Sequence, residues 1–424
     1  MAVLNGNCRE FQLDNGLIVA LQETPTETVY GRLRIDHGAI HEREGEEGIA
    51  HFLEHCLMTG GSAKYSPADV EKIRGNIGYG NATTTLEKTE IPFDLLADDL
   101  ELYLDFVSDA AFSPLLDADT MNQERVRVLR EIADDKSNPD FKDNRDFKEA
   151  LVGAGPHTYY VAGKDEIIKR AAPDDLRGFH SRGYFANNMN LVLVGGLPAD
   201  IDKIVRKYFE RRPSGKVERF VFPRPKPLHE PVVICRHAPE LLNREKPEES
   251  TAFLKIAMHG PRYAEGDRFP VQILAEILGR AGTSRLHKAV SENRGLAYGI
   301  GCGYEIGHNQ GNIYVMGGIA SKGLDEAAGI IFGEFRKLQG QLACSDELES
   351  TKRVIRYRVA KTAESNQGHA FRIETKMEYG ETADMYSAGI AAVTPEMVRD
   401  AAKKYLPASR ENGRYVMLIR DPLK

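Results

Sequence analysis

At 424 residues the chain is long enough for two domains with substantial cores, while a formal net charge of −7 and the lack of a basic cluster interleaved with aromatics argue against nucleic acid as the main partner. Its five cysteines (Cys8, Cys56, Cys235, Cys302, Cys344) are odd in number, scattered and without C-x-x-C spacing, which suits free thiols in a reducing compartment better than a disulfide framework. No segment is long and apolar enough to span a bilayer, and the opening MAVLNGNCREFQLDNG lacks the basic and apolar regions of a secretory signal, so the expectation is a soluble cytoplasmic protein without a membrane partner.

The first element with chemistry in it is EEGIAHFLEHCLMTGG, residues 46 to 61. Ile49, Phe52, Leu53, Cys56 and Leu57 recur at three- and four-residue steps and predict a helix with one apolar stripe. His51, Glu54 and His55 fall together on the opposite side of the same turn. Imidazoles four residues apart on a helix point the same way and can share one metal ion, with the carboxylate between them in reach of a bound water. The order H-x-x-E-H reverses the commoner H-E-x-x-H zinc signature. Cys56 lies beside a candidate ligand but on the apolar stripe, so packing is its expected role.

A second amphipathic helix is predicted in ADDLELYLDFVSDA, and a third in DADTMNQERVRVLREIADD, where Met121, Val128, Leu129 and Ile132 form the buried stripe. Glu124 and Glu131 stand seven apart at the border of that stripe, where an acidic residue serves either as a third metal ligand or as a solvated flank. Composition then shifts across residues 211 to 250, with Pro223, Pro225, Pro227 and Pro231 favouring extended chain. Beyond it the sequence reads as a distant copy of the first half. FPVQILAEIL, residues 269 to 278, keeps the apolar spacing of GIAHFLEHCL but places Gln272, Ala275 and Glu276 where His51, Glu54 and His55 stand. Likewise KRVIRYRV, residues 352 to 359, matches ERVRVLRE with Val359 in place of Glu131. The copy keeps the packing pattern and loses the metal donors. Hairpin-like strands mixed with long helices, such as DEAAGIIFGEFRKL, predict a duplicated α+β domain with a largely antiparallel sheet.

The pairing of H-x-x-E-H with E-R-V-R-V-L-R-E, whose Glu131 lies 76 positions after His55 (131 − 55), resembles the pitrilysin/insulinase zinc metallopeptidases, the inverzincins. FQLDNGLIVA resembles that family's opening strand pair, turned at Asn15-Gly16, and GYGNATTTLEKT its cleft-bordering strand. AGPHTYYVAG is similar to a degenerate Gly-His-Pro loop, YFANNMNLVLVG to the strand closing the first domain, and GLAY to a motif of the second. The resemblance spans essentially the whole chain. It implies two homologous α+β domains forming half of a clamshell: a catalytic zinc-binding domain at 1–220, a linker at 221–248 and an inactive copy at 249–424. It implies one zinc per chain, held by His51, His55 and Glu131, with Glu124 orienting a ligand imidazole. Glu54 is then the general base that takes the proton of a zinc-bound water and passes it to the leaving amine of a peptide substrate. Asn81 and Ala82 would receive an extended peptide along a sheet edge, and Tyr298 would contact substrate from the second domain. On residue type alone, NATTT also suits a polar edge strand, Tyr298 a core position, and His157 a packing or capping role.

One departure stands out. Family members that act through their second domain carry an arginine seven residues before the GLAY tyrosine, and here that residue is Ser291. Serine has neither the length nor the fixed charge to hold a substrate carbonyl. Arg294 and Arg285 stand four and thirteen residues before Tyr298, so neither takes its place by spacing. A complete metal set beside an incomplete facing pair leads us to expect the catalytic half of a heterodimer with a homologous subunit, a homodimer being the alternative. The alternative function is a non-catalytic scaffold or processing-complex subunit of the same fold. A purely regulatory zinc protein is disfavoured by Glu54, since a closed four-ligand site needs no free carboxylate beside it.

Overall fold

The computed structural model describes residues 8–279 and 283–423, and among these the chain forms two sheets with helices against them. The first sheet holds β1 (Arg9–Gln12), β2 (Ile18–Glu23), β3 (Thr28–Ile35), β4 (Thr83–Thr84), β5 (Thr89–Leu96) and β6 (Met189–Gly195), in the order β1-β2-β6-β3-β5-β4. The second holds β7 (Val232–His237), β8 (Thr251–Gly260), β9 (Ala297–Ile306), β10 (Gly311–Ala320) and β11 (Val416–Asp421), in the order β7-β11-β8-β10-β9. Each is antiparallel except for one pair, β2 with β6 and β7 with β11. This is the duplicated α+β architecture that the residue pattern predicts.

Packing divides the chain into two compact units that exchange a helix. The first takes the chain through Ser137, then Tyr159–Val221 and Lys361–Thr382; the second takes Asn138–Thr158, Phe222–Ala360 and the chain from Ala383 on. In the first unit, Val19, Leu21, Leu33, Leu191 and Leu193 on one sheet face form a single core with Phe52, Leu53, Phe106 and Val128 from the helices Ile49–Thr59, Leu100–Phe112 and Ala118–Ser137. The other face presents Ala20, Tyr30, Val192 and Val194, which would be wetted without cover. The returning helix Asn366–Tyr379 supplies it through Ala370 and Ile373. In the second unit the helices Arg268–Gly279 and Leu324–Gly340 share a core with β8, β10 and β11. There Pro139–Val152 covers the opposite face, packing Phe147 and Leu151 on Ala257, Val416 and Leu418. The proline-rich stretch 223–231 has no helix or strand.

Candidate metal centre

The centre is built in the first unit from two helices and an edge strand. The motif helix Ile49–Thr59 starts at Gly48, whose φ of 103° is left-handed and where a side chain would meet the Ala162 carbonyl oxygen at 2.6 Å. Ile49, Phe52, Leu53, Cys56 and Leu57 are buried, as their spacing predicts, and this anchors the opposite side. Burial raises the Cys56 thiol, which packs in the core. His51 and His55 stand half-buried with ring centroids 4.7 Å apart and planes crossed at 83°. The glutamate helix Ala118–Ser137 buries Met121, Val128 and Ile132 and brings Glu131 to the same place.

Glu131 Oε2 lies 3.7 Å from His51 Nε2 and 3.5 Å from His55 Nε2. In a tetrahedral zinc site with ligand distances of ~2.0–2.1 Å, neighbouring ligand atoms are separated by ~3.3–3.4 Å. The observed separations fit that geometry with only small adjustment. Among the described residues, His51, His55 and Glu131 are the only group of three or more such side chains whose ligand atoms all fall within 4.8 Å of one another. Two imidazoles and one carboxylate match in type and number the donors of open catalytic zinc sites rather than the four of closed structural ones. Glu124, by contrast, is buried behind His55, its Oε2 3.2 Å from Nδ1, and its Oε1 accepts from Arg127 Nη1 at 2.6 Å. This leaves His55 Nε2 for the shared position.

Burial dominates the electrostatics. It lowers the His51 imidazole to about 4, with the charge of His55 adding to the effect, so this ring is neutral at pH 7. Burial would lower His55 too, but the Glu124 hydrogen bond and the charges of Glu131 and Glu54 outweigh it and its pKa is raised. Glu124 shows the converse: burial favours its neutral form, yet the His55 and Thr59 hydrogen bonds and the Arg127 charge hold it below the ordinary value. Glu54 is buried at 8 % exposure, which raises its carboxyl despite a 2.7 Å hydrogen bond from Thr84 Oγ1 to its Oε2.

That bond ties the centre to β4, the outermost strand of its sheet. Asn81 and Thr83 are exposed while Ala82 and Thr84 are buried, so the alternation turns one side of the strand inward and leaves a free backbone edge. A cleft of about 850 Å³ contains the donor triad, Glu54 and residues 81–84. Two of its wall residues, Tyr160 and Asp135, are joined by a 2.6 Å hydrogen bond from the phenol, and both escaped the sequence reading. Thr84 escaped it as well, although period-two alternation through NATTT would have aimed it at the motif helix.

The remaining candidates lie in the second unit. Tyr298 is fully exposed (102 %) near the start of the edge strand β9, so a core role is ruled out. Ser291 has a buried hydroxyl without a hydrogen-bond partner among the described residues. Arg285 is held by Glu347 through two bonds of 2.9 and 2.7 Å, and Arg294 lies 3.5 Å from Glu326. His157 is buried, packs its ring against Phe222 at a tilt of 31° and pairs with the Pro223 carbonyl at 2.7 Å, which is the packing role expected for it. In the duplicate helix, Glu276 is engaged by Arg358 and by Gln272 Nε2 at 3.4 Å.

Fold and donor set together define a class: a duplicated α+β chain in which one copy carries an inverted zinc-peptidase motif and the other has lost it. The chain belongs to the M16 peptidase family, for residues 18–151 match the family model described as insulinase (peptidase family M16) and residues 170–355 that of the peptidase M16 inactive domain. It is 25% identical over 366 residues to the uncharacterized zinc protease YmxG of Bacillus subtilis (strain 168), covering 86% of each chain. It is 27% identical over 270 residues to subunit 1 of the mitochondrial cytochrome b-c1 complex of Bos taurus, covering 63% of this chain and 54% of that one. Its fold is similar to that of a Helicobacter pylori protease, with a TM-score of 0.84 at 18% identity over 99% of this chain and 100% of that one. It also matches the periplasmic protease PqqL of Escherichia coli, with a TM-score of 0.83 at 16% identity, covering 99% of this chain but 48% of PqqL.

Proposed function

We propose that the chain is a zinc-dependent metalloendopeptidase acting on peptides or unfolded segments. The observation that carries this reading is the convergence of His51, His55 and Glu131 on one point with the Glu54 carboxylate held beside them by Thr84. A zinc ion held by those three donors would polarise a scissile carbonyl and bring the pKa of a water in its open position towards ~7. Glu54 takes the proton of the attacking water and returns it to the leaving amine nitrogen. Glu124 holds His55 in the tautomer that turns Nε2 to the shared position. The peptide lies along residues 81–84 and adds a strand to the sheet, so selection falls on extended chain more than on side chains.

The candidate residues of the second unit support a two-subunit enzyme. Ser291 replaces the expected arginine, Arg285 is engaged by Glu347, and Tyr298 stands fully exposed. The match to about half of PqqL fits a chain that works beside a second copy of the same fold. We take that copy to be a homologous subunit, with a homodimer as the alternative. The bovine relative, a subunit of a respiratory complex by its name, favours a second reading, a non-catalytic scaffold. Purification from the native source with associated chains, zinc analysis and a peptide-library digest decide between them. Cleavage that needs the metal supports the peptidase. A metal-loaded complex that cleaves nothing in the library supports the scaffold.

A further inference from the structure

The two histidines of the motif helix are held in different ways. His55 Nδ1 is paired with Glu124, whereas His51 Nδ1 is buried and has no hydrogen-bond partner among the described residues. With no bond at Nδ1, the direction of the His51 ring is sensitive to where its backbone stands, and that is the first turn, where the amides have no acceptor within the helix. Gly48 at the helix start has no side chain to serve as a cap. Instead the amides of Gly48 and Ala50 both donate to one oxygen, Oε1 of Glu42, at 3.0 and 2.8 Å. The amide between them, of Ile49, donates to the Glu46 carbonyl at 2.9 Å.

We infer that Glu42 is the positioning residue for His51: by holding the Gly48 and Ala50 amides it fixes the first turn of the motif helix and aims the imidazole at the point shared with His55 and Glu131. The inference rests on the metal-centre reading above. Oε1 of Glu42 carries both bonds to the helix. Burial, opposed by these two amides, pushes the carboxyl up to about 8. An uncharged carbonyl oxygen in that place therefore does the same work, which a glutamine supplies and an aspartate, one methylene shorter, does not.

The test compares wild type with Glu42→Gln, Glu42→Asp and Glu42→Ala in the full chain. Zinc affinity is measured by chelator competition, the visible spectrum of the cobalt-loaded protein reports ligand geometry, and circular dichroism reports folding of the metal-free protein. Glu42→Gln should match wild type in affinity and cobalt spectrum. Glu42→Ala should weaken zinc binding about 10-fold, the lower end for a residue that orients a ligand, and alter the cobalt spectrum while helix content is kept. If Glu42→Ala does not fold, the other two variants decide: weaker binding by Glu42→Asp than by Glu42→Gln supports the inference, and the reverse order overturns it. Wild-type affinity and spectrum in Glu42→Ala, or equal damage from Glu42→Gln and Glu42→Ala, would also overturn it. Failure of the wild type itself to bind zinc or cobalt would show separately, as the failure of the metal-centre reading on which this one stands.

Discussion

The helices Ile49–Thr59 and Arg268–Gly279 are the same structural part put to two uses. Phe52, Leu53, Cys56 and Leu57 in one, and Ile273, Leu274, Ile277 and Leu278 in the other, are all buried in the cores beneath them. On the opposite side, His51, Glu54 and His55 correspond to Gln272, Ala275 and Glu276. In the first unit three side chains bring ligand atoms to within 4.8 Å of one another, an arrangement that suits a bound cation. In the second, Glu276 receives the guanidinium of Arg358, the residue just before the Glu131 counterpart Val359. A fixed organic cation there takes the place of a metal. Packing and chemistry thus occupy separable faces of one helix, and duplication has preserved only the first.

If the chemistry resides in the first copy alone, the largest effect follows from its general base. Glu54→Gln should keep fold and zinc but lower peptide turnover by ~10²–10⁴-fold, because the amide cannot take up a proton. Kinetics on a cleaved library peptide, with metal content measured on the same sample, check this. Turnover near wild type in a zinc-replete variant would remove Glu54 from the mechanism and blur the difference between the copies.

Next in size is the residue behind His55. Glu124→Ala should weaken zinc binding by ~10–100-fold, as loss of an orienting carboxylate commonly does. Chelator competition measures it. Its pH profile carries a second, oppositely signed expectation. Ligation needs neutral imidazoles, and the Glu124 bond helps raise the His55 pKa, so wild-type affinity should decline as pH falls through that raised value. His51, at about 4, adds little proton competition between pH 5 and 8. Removing Glu124 lowers the His55 pKa, so the variant binds more weakly but keeps its plateau to lower pH. Identical pH midpoints for the two proteins would show that the bond does not set the titration.

Much of this contrast was legible in the sequence because it is written in local periodicity. The i, i+3, i+4 spacing placed His51, Glu54 and His55 on one side and the apolar stripe on the other, and the altered residues of the second copy could be read by aligning that stripe. The bond from Thr84 to Glu54 spans thirty positions, and Glu42 caps its helix from outside the usual capping window. Neither has a local signature. Nor does amphipathicity say which sheet a helix will cover, so the placement of Pro139–Val152 with the second unit and Asn366–Tyr379 with the first emerges only from tertiary packing.

The smallest effect concerns the cation that closes the second copy. Arg358 is half exposed, with 55% of its side-chain surface accessible, whereas Glu276 retains only 11%. Such a pair is worth less than a fully buried one because water screens the guanidinium, but removing the arginine leaves the carboxylate with poorer compensation. Arg358→Ala should therefore cost roughly 1 kcal/mol, between an exposed ion pair and an unsatisfied buried group, or about 2–4 °C in Tm. Adding Glu276→Gln should recover most of the loss, since the uncharged amide no longer needs the cation and can still accept from Gln272. Neither change should alter zinc content, because His51, His55 and Glu131 lie in the other unit. Calorimetry of the two variants beside metal analysis checks all three expectations. A double variant no more stable than the single one would mean that Arg358 acts through its packing rather than its charge, and the parallel between guanidinium and metal ion would fail.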